Sequence, residues 1–381
     1  AIGKYTIAKN GVFLATPVSA PGSQEIIILY EKILSQPIQL VAIVQDIATG
    51  DCSAEIAWNG RKEIIPLETL LWDRKLTALT KKGIIISSNG CKNVVSYFEE
   101  CAKNNKEFKK SSSRNGWISK NEFVLGNEII RGKEEEKIEY IGHSYVVSTK
   151  GNKAEWEKAM TFFKEDKDAA LKIGASTISP FLRRMGINNF SVHSHGDSSR
   201  GKTSIGVAAM SIWGDWHALK NDWKSSQAGK ECLAKEAGGL PLAFEESQRA
   251  NPASVVQTVY DWGNGKPPAK ARLVDGKIEQ RKSEEMLGVI ISTGEQAISS
   301  LATESGVSAR LLEHHKKKMT GADIGYKIKE ATESLMENFG HVGKDIVKIF
   351  MASEDSLIAE YKNFCATIKN KCAEKKLNEV E

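Results

Sequence analysis

No apolar stretch in the 381-residue sequence approaches the roughly 18 residues that a bilayer-spanning helix needs. The first residues also lack the basic-then-apolar layout of a signal peptide, so no membrane partner is expected. Six cysteines (Cys52, Cys91, Cys101, Cys232, Cys365 and Cys372) form no C-x-x-C, which indicates neither a zinc ribbon nor a redox pair. Such wide spacing fits a reducing cytoplasm. The seven histidines show no metal-ligand spacing either. A strong excess of one charge is missing too. The 53 Lys and Arg against 48 Asp and Glu leave +5, which permits a nucleic-acid partner without demanding one. There is no internal repeat or long low-complexity tract. What remains is 41% hydrophobic and 27% charged residues, an ordinary globular balance over a length sufficient for two cores.

The first part reads as strands. Lys4–Ala8 and Val12–Thr16 flank Asn10-Gly11, a short hairpin signal. Glu25–Tyr30 is a continuous apolar run, and Gln39–Gln45 and Cys52–Trp58 flank Thr49-Gly50. Helices are expected at Leu67–Lys81 and Lys92–Asn105, with a strand at Ile84–Ser87 between them. Lys109 to Asn115 is basic and serine-rich and reads as a linker. Short strands follow at Gly116-Trp117, Glu122–Leu125 and Tyr145–Ser148. From about Asn152 the pattern alternates. Helices are expected at Lys153–Phe163, at Asp168–Met185 with an interruption at Pro180, and at Lys202–Trp213. Strands are expected at Phe190–His195, Leu240–Phe244, Leu287–Ser292 and Arg310–Glu313. This predicts an α/β domain with a parallel sheet and a helical lid from Lys327, preceded by a β-rich N-terminal domain. The divisions are 1–112, a β-rich connecting segment 113–150, an α/β core 151–326, and lid and tail 327–381.

The chemistry-bearing motif is Gly196, Asp197, Ser198, Ser199, Arg200, Gly201, Lys202 and Thr203, a full G-x-x-x-x-G-K-[ST] between a strand and a helix, with Ser204 following. The glycines let backbone N–H groups wrap a β-phosphate, the lysine reaches the β/γ oxygens and the threonine hydroxyl ligates Mg²⁺. ATP and Mg²⁺ are the implied ligands. His193 and His195 lie on one face of the entering strand, as core or site-lining residues.

A second element should close the metal site, and the apolar run after Gly239 supplies it by ending in Glu245 and Glu246. One acid would hold Mg²⁺ and the other orient the attacking water; their division of labour stays open. A third strand ends at Ser292-Thr293, where Thr293 is the first candidate for contacting the γ-phosphate or lytic water and Ser292 its competitor. Arg310 precedes the last strand, a place from which ring ATPases reach the neighbouring subunit's nucleotide. Between the acids and the third strand, Asp275-Gly276 marks a hairpin whose arms carry Lys270, Arg272, Lys277 and Arg281, with Lys266 upstream. Such a hairpin suits the gripping of a nucleic-acid backbone, because phosphate contacts need charge rather than sequence reading.

These motifs in order (Gly116-Trp117, Phe123-Val-Leu, His195 to Thr203, Trp213-Gly, Leu240-Pro-Leu with two acids, Ser292-Thr-Gly-Glu, Ala309-Arg-Leu-Leu-Glu) resemble a bacterial ATPase domain family long catalogued as of unknown function. It occurs in phages, plasmids and integrative elements and includes the Cch replicative helicases of staphylococcal cassette chromosomes, which are similar to the MCM helicases. The resemblance covers roughly Arg114 to Phe350, and more loosely the N-terminal strands. It implies an AAA+ core, assembly as a homo-oligomeric ring, expected to be a hexamer, and unwinding of single-stranded or forked DNA. Three departures stand out. Glu245 replaces an aspartate, no zinc-binding cysteines support an MCM-like N-terminal domain, and the sequence does not include the winged-helix region into which relatives often continue. The leading expectation is an ATP-dependent DNA helicase or translocase of a mobile element. The alternative is an ATP-dependent switch or remodeller with protein partners that does not translocate, and a third option is a nucleotide-stabilised scaffold.

Overall fold

The computed structural model describes residues 1–19, 22, 24–86, 90–266, 270–274, 277–281, 285–302, 305–321 and 323–374; at 270–274 and 277–281 only the backbone is described. The chain divides into two compact units, Ala1–Ser113 and Arg114–Glu381.

In the first unit, Tyr5–Ala8, Gly11–Ser19 and Ile26–Leu34 form an antiparallel sheet in that order. Ala8 faces Gly11, so the turn is Lys9-Asn10 and Gly11 already belongs to the ladder, one residue away from the expected turn. Ile26–Leu34 lies at the edge of this sheet, and its apolar residues are largely in solvent, from Ile26 at 71% exposure to Tyr30 at 59%. In a second sheet, Gln39–Asp46 pairs antiparallel with Cys52–Trp58, which pairs with Arg61–Pro66. Helix Cys91–Asn104 buries Val94, Tyr97, Phe98 and Cys101, the i, i+3, i+4, i+7 stripe of an amphipathic helix. The Tyr97 hydroxyl donates to the Ile38 carbonyl at 2.5 Å.

Three local expectations change here. Lys109 to Asn115 is not a linker throughout, because Phe108–Ser112 pairs parallel to Gln39–Asp46. Lys109 donates to buried Glu55, which also binds Lys62 at 3.0 Å, so the basic residues neutralise an acid within the sheet. Residues 84–86 join no ladder; Ile84 is buried while Ile85 is exposed. The helix expected at Leu67–Lys81 breaks at Trp72, whose backbone is extended (φ −124, ψ 115), into Leu67–Leu71, Asp73–Leu76 and a 3₁₀ turn at Thr77–Lys82.

The second unit is a mixed α/β structure around a parallel sheet. Its strands run in the spatial order Lys220–Asp222, Leu242–Glu245, Val289–Thr293, Phe190–His195, Leu311–His315. Val289–Thr293 is buried along its whole length, as expected for a parallel strand covered on both faces. Helix Lys202–Met210 is buried from Ile205 to Met210, too apolar to lie on a surface. Helix Ile324–Glu337 packs on it and on helix Lys153–Phe163. Helix Gly343–Glu374 breaks at Ser353 (φ −130, ψ 15). Pro180 interrupts its helix as expected, giving Lys167–Ile178, a 3₁₀ turn and Leu182–Met185. Tyr145–Ser148 forms no strand. Tyr145 is instead pinned by its hydroxyl to the Pro241 carbonyl at 2.7 Å, with its N–H donating to Glu236 at 3.1 Å. No helix among the described residues is long and apolar enough to cross a membrane.

A small antiparallel sheet of Gly116–Trp117, Phe123–Leu125, Glu128–Arg131 and Glu134–Lys137 opens this unit. It is tied to the end of helix Gln227–Ala237 by backbone against backbone. A Cβ on Gly116 (φ +92) would lie 1.9 Å from the Gly238 carbonyl oxygen. Gly116→Ala is therefore expected to destabilise the second unit by about 2 kcal/mol or more, whereas Gly186→Ala, a helix end with φ +71 and open space around it, costs about 1 kcal/mol. Thermal unfolding of the two variants checks this; equal losses would remove the contact as a constraint.

Candidate functional site

Parallel strands all end at one edge of the sheet. The loops after Phe190–His195, Leu242–Glu245 and Val289–Thr293 meet there, beside the point where Leu311–His315 reverses the strand order. They enclose a cavity of about 290 Å³. One side is the loop itself, from Ser198 through Ser199, Arg200, Gly201, Lys202 and Thr203 to Ser204; the other is Glu246, Gln248, Thr293, Gly294 and Glu295.

The loop conformation follows from its residues. Gly196 (φ +131) and Gly201 (φ +84) take backbone angles that a side chain resists, and Ser199 adopts φ +62 at a local cost. No side chain caps helix Lys202–Met210, so its first N–H groups face the cavity mouth, the usual place for an anion. Lys202 Nζ folds back on the Gly196 and Asp197 carbonyls at 2.5 and 2.7 Å. Burial lowers the Lys202 pKa, against the pull of Glu295 and Asp197. Asp197 is itself exposed and ion-paired with Arg200. The loop is anchored by Gly196 N–H donating to the Glu295 carbonyl at 3.2 Å, and Ser198 Oγ donates to the Glu295 carboxylate at 3.4 Å.

Thr203 Oγ1 donates to Glu245 Oε1 at 2.8 Å, so helix start and acid-bearing strand meet directly. The next residue, Glu246, takes left-handed backbone angles (φ 59, ψ 60), which turn the chain away from the strand end. Its carboxylate accepts from Arg249 at 2.6 Å, and Arg249 also lies 3.5 Å from Asp222. Two of the four non-glycine residues with positive φ among those described, Ser199 and Glu246, line this one cavity. Backbone strain of this kind gathers at functional sites.

The two candidate hydroxyls part company. Thr293 lines the cavity, whereas Ser292 is fully buried on the other face of the strand, receiving the Trp223 indole N–H at 3.1 Å and facing His193 Nδ1 at 2.8 Å. His193 Nε2 faces the Gln296 carbonyl at 2.9 Å and must donate to it, so Nδ1 accepts from Ser292. Burial pushes the His193 pKa down to about 3, which keeps the ring neutral. His195 stacks between His193 and His315, with centroids 6.1 and 5.4 Å away.

Arg310 stands apart from the cavity. It precedes Leu311, which is paired with Ser191, so it lies at the N-terminal edge of the sheet, opposite the loop. There it donates to Gly306 O at 2.5 Å and Asn264 Oδ1 at 2.8 Å and covers the Tyr260 ring at 4.7 Å. The basic hairpin is an antiparallel ribbon of Lys270–Val274 and Lys277–Arg281. Lys270 is opposite Arg281, Arg272 opposite Glu279, and Val274 opposite Lys277, so by strand alternation the four basic positions share one side. Lys266 is exposed at its root, and the Asp275-Gly276 turn lies outside the described residues.

Three residues were given no site role by the sequence reading, Glu295 among them although it ends the Ser292-Thr-Gly-Glu motif. Gln248 and Glu295 line the cavity and meet through the Glu295 N–H at 3.3 Å. The only signal for Gln248 is proximity to the acid pair, whereas Glu295 closes the Ser292-Thr-Gly-Glu motif. Lys172 is fully buried on helix Lys167–Ile178 and donates to the Ser292 carbonyl at 2.7 Å. Burial pushes its pKa down to about 7, against the opposing pull of Asp168 and Glu245. A lysine on an amphipathic helix gives no sign of this in sequence.

The sequence matches the family described as Domain of unknown function (DUF927) over residues 5–283. The chain belongs to this family. No curated protein matches it. Among solved structures, this DUF927 chain is similar to one described as SCCmec type IV Cch, an active helicase, with a TM-score of 0.66 and 18% identity over 94% of this chain and 67% of that one. At that identity the likeness is one of fold. The apo C-terminal region of NrS-1 (TM-score 0.34, 10% identity, 84% and 71% of the two chains) is more distant. So is a JCV helicase with a bound small molecule (0.31, 11%, 54% and 62%), and neither score establishes a shared fold.

The buried His193 makes stability depend on pH. Its folded pKa of about 3 lies below the ordinary histidine value of 6.5, so the unfolded chain binds more protons between these values. Stability present above pH 6.5 is expected to fall as pH drops toward 3. A melting temperature of the second unit that falls between pH 6.5 and about 4.5 in the wild type, and falls less in His193→Gln, checks it. Equal slopes would contradict the assignment.

Proposed function

We propose that this DUF927 chain is an ATP-driven DNA helicase or translocase of a mobile genetic element, built on an AAA+ core and working as a ring, with a hexamer as the expected size. The observation that carries the reading is the direct bond between Thr203 and Glu245 at the end of the phosphate loop. It brings a hydroxyl and a carboxylate together, both hard oxygen donors of the kind Mg²⁺ takes. No group of three or more His, Cys, Asp or Glu among the described residues forms a metal cage. Mg²⁺ would be held by Thr203 and Glu245 and would neutralise charge on the phosphates.

The chain's own groups supply the rest. The uncapped N–H groups at Lys202–Ser204 and the loop backbone bind the phosphates, and Lys202 exchanges its two carbonyl partners for β/γ oxygens. Glu246 orients and activates the attacking water. Thr293 contacts the γ-phosphate or that water from the adjacent strand. Arg310, at the far edge of the sheet, acts on a neighbouring subunit's nucleotide. Lys266, Lys270, Arg272, Lys277 and Arg281 grip one DNA strand, single or at a fork, through its phosphates.

ATPase rate measured with and without single-stranded DNA tests the reading. Lys202→Ala is expected to abolish turnover, Glu246→Gln to bind ATP and lower the rate at least a hundredfold, and Arg310→Ala to bind ATP while losing turnover. Hydrolysis indifferent to DNA in the wild type would favour the switch or remodeller instead. Unchanged turnover in Arg310→Ala would remove the inter-subunit site.

A further inference from the structure

Helix Lys167–Ile178 is bonded to three parts of the phosphate site at once. At its start Asp166 caps it, accepting from Ala169 N–H at 2.9 Å, and also meets Lys316 just beyond the last strand. Near its end Ser176 Oγ donates at 2.6 Å to the Ala209 carbonyl, on the helix that follows the phosphate loop. Between these ties Lys172, fully buried, donates to the Ser292 carbonyl at 2.7 Å. A peptide unit is planar, so a bond that fixes the Ser292 carbonyl also fixes the N and Cα of Thr293, which lines the cavity. The sheet alone holds Thr293 less firmly than the residues before it. Pairing with Leu242–Glu245 stops at Phe244 opposite Ser292, so Thr293 is in register with Ser194 on one side only.

Stability does not account for a lysine at this place. Asp168, one turn earlier on the same helix, pairs with Lys316 at 3.1 Å rather than with Lys172. Glu245, whose charge also reaches Lys172, is bonded to Thr203, while Lys202 and Lys316 oppose a positive charge there. Among the described residues, the direct partner of the Lys172 amine is the strand carbonyl. Burying an amine on those terms is less favourable than burying an apolar side chain of the same length. Position does account for it. Four methylenes carry an N–H donor from the helix to the last residue before Thr293, and that residue's hydroxyl is already fixed by Trp223 and His193. Ser292 is thus anchored at side chain and carbonyl alike, and the residue so aimed is Thr293.

We infer that Lys172 is a positioning residue for nucleotide hydrolysis, which holds the Thr293 hydroxyl at the cavity through the Ser292–Thr293 peptide. The inference rests on the reading of the cavity as an ATPase site. Steady-state ATP turnover of the full chain tests it in a double-mutant cycle. Lys172→Met fills the same space without the donor, so its melting temperature should stay close to the wild type's. Its kcat should fall by about tenfold or more, with the KM for ATP within about twofold of the wild type's. Lys172→Gln, which keeps an N–H donor, should recover most of that loss. In a Thr293→Ala background, Lys172→Met should lower kcat by no more than about twofold further, because the residue it positions is already gone. Losses that multiply in the double variant, or an unchanged kcat in folded Lys172→Met, would overturn the inference and leave the hydrolysis reading intact. If Lys172→Met does not fold, Lys172→Gln carries the same cycle: a wild-type kcat, or a loss that vanishes in the Thr293→Ala background, supports the inference, and a loss that multiplies overturns it. A wild-type chain that binds ATP without turnover would overturn both.

Discussion

The parallel hydrogen-bond ladder on either side of Phe190–His195 is the constraint on which the second unit's site depends. Ser194 is in register with Thr293 and His195 with His315. The ladder continues past the strand ends, because Gly294 N–H donates to Ser194 O at 3.1 Å and Lys316 N–H to His195 O at 2.8 Å. The loop therefore leaves a strand clamped on both sides. Its glycines act against a fixed frame, and a one-residue slip of Val289–Thr293 would carry Thr293 out of the cavity and Ser292 into it.

Beneath that frame lies a buried polar layer rather than an apolar one. Lys316, 2% exposed, meets Asp166 at 2.7 Å and Asp168 at 3.1 Å, and His314 bonds Ser194 Oγ at 2.9 Å. Lys172 adds a bond to the strand carbonyl just before Thr293. Buried ion pairs add little net stability, since desolvation offsets their attraction, but removing one partner is strongly destabilising. Their effect is to make only one arrangement of helix Lys167–Ile178 against the strand ends acceptable. Neutral His193 works in the same way, joining Ser292 to the Gln296 carbonyl and so to the segment that carries Glu295.

Local pattern carried much of the fold. The strand Phe190–His195 and the helix Lys153–Phe163 have the bounds their periodicity predicts, because each is a regular run closed by strong end signals; Asn152, for instance, caps its helix by accepting from Ala154 N–H. Failures came where tertiary partners decide. Phe108–Ser112 reads as a polar linker until Gln39–Asp46 lies beside it and Glu55 takes up Lys109. Ile84 to Ile86 has strand propensity and joins no ladder among the described residues. Of the candidate site, the loop and acids are visible as a spacing, and the choice between Ser292 and Thr293 is a question of which face of a strand is core. Lys172 and Gln248 depend on contacts across long sequence separations, which no one-dimensional pattern records. Glu295 stands in the Ser292-Thr-Gly-Glu motif, and only its bonds to the loop and to Gln248 were hidden.

The edge strand of the first unit has a practical consequence. Among the described residues, Ile26–Leu34 pairs on one side only and carries Ile26, Ile27, Ile28, Leu29 and Tyr30 in solvent. Such a strand is a template for pairing with another chain. Self-association through it would be driven by apolar burial and backbone bonding, which added salt does not screen, whereas attractions between charges weaken as ionic strength rises. The salt response of the solution mass thus separates sticking at this strand from assembly through charged surfaces, and replacing Ile27 or Leu29 by lysine silences the first without touching the sheet that carries the phosphate loop.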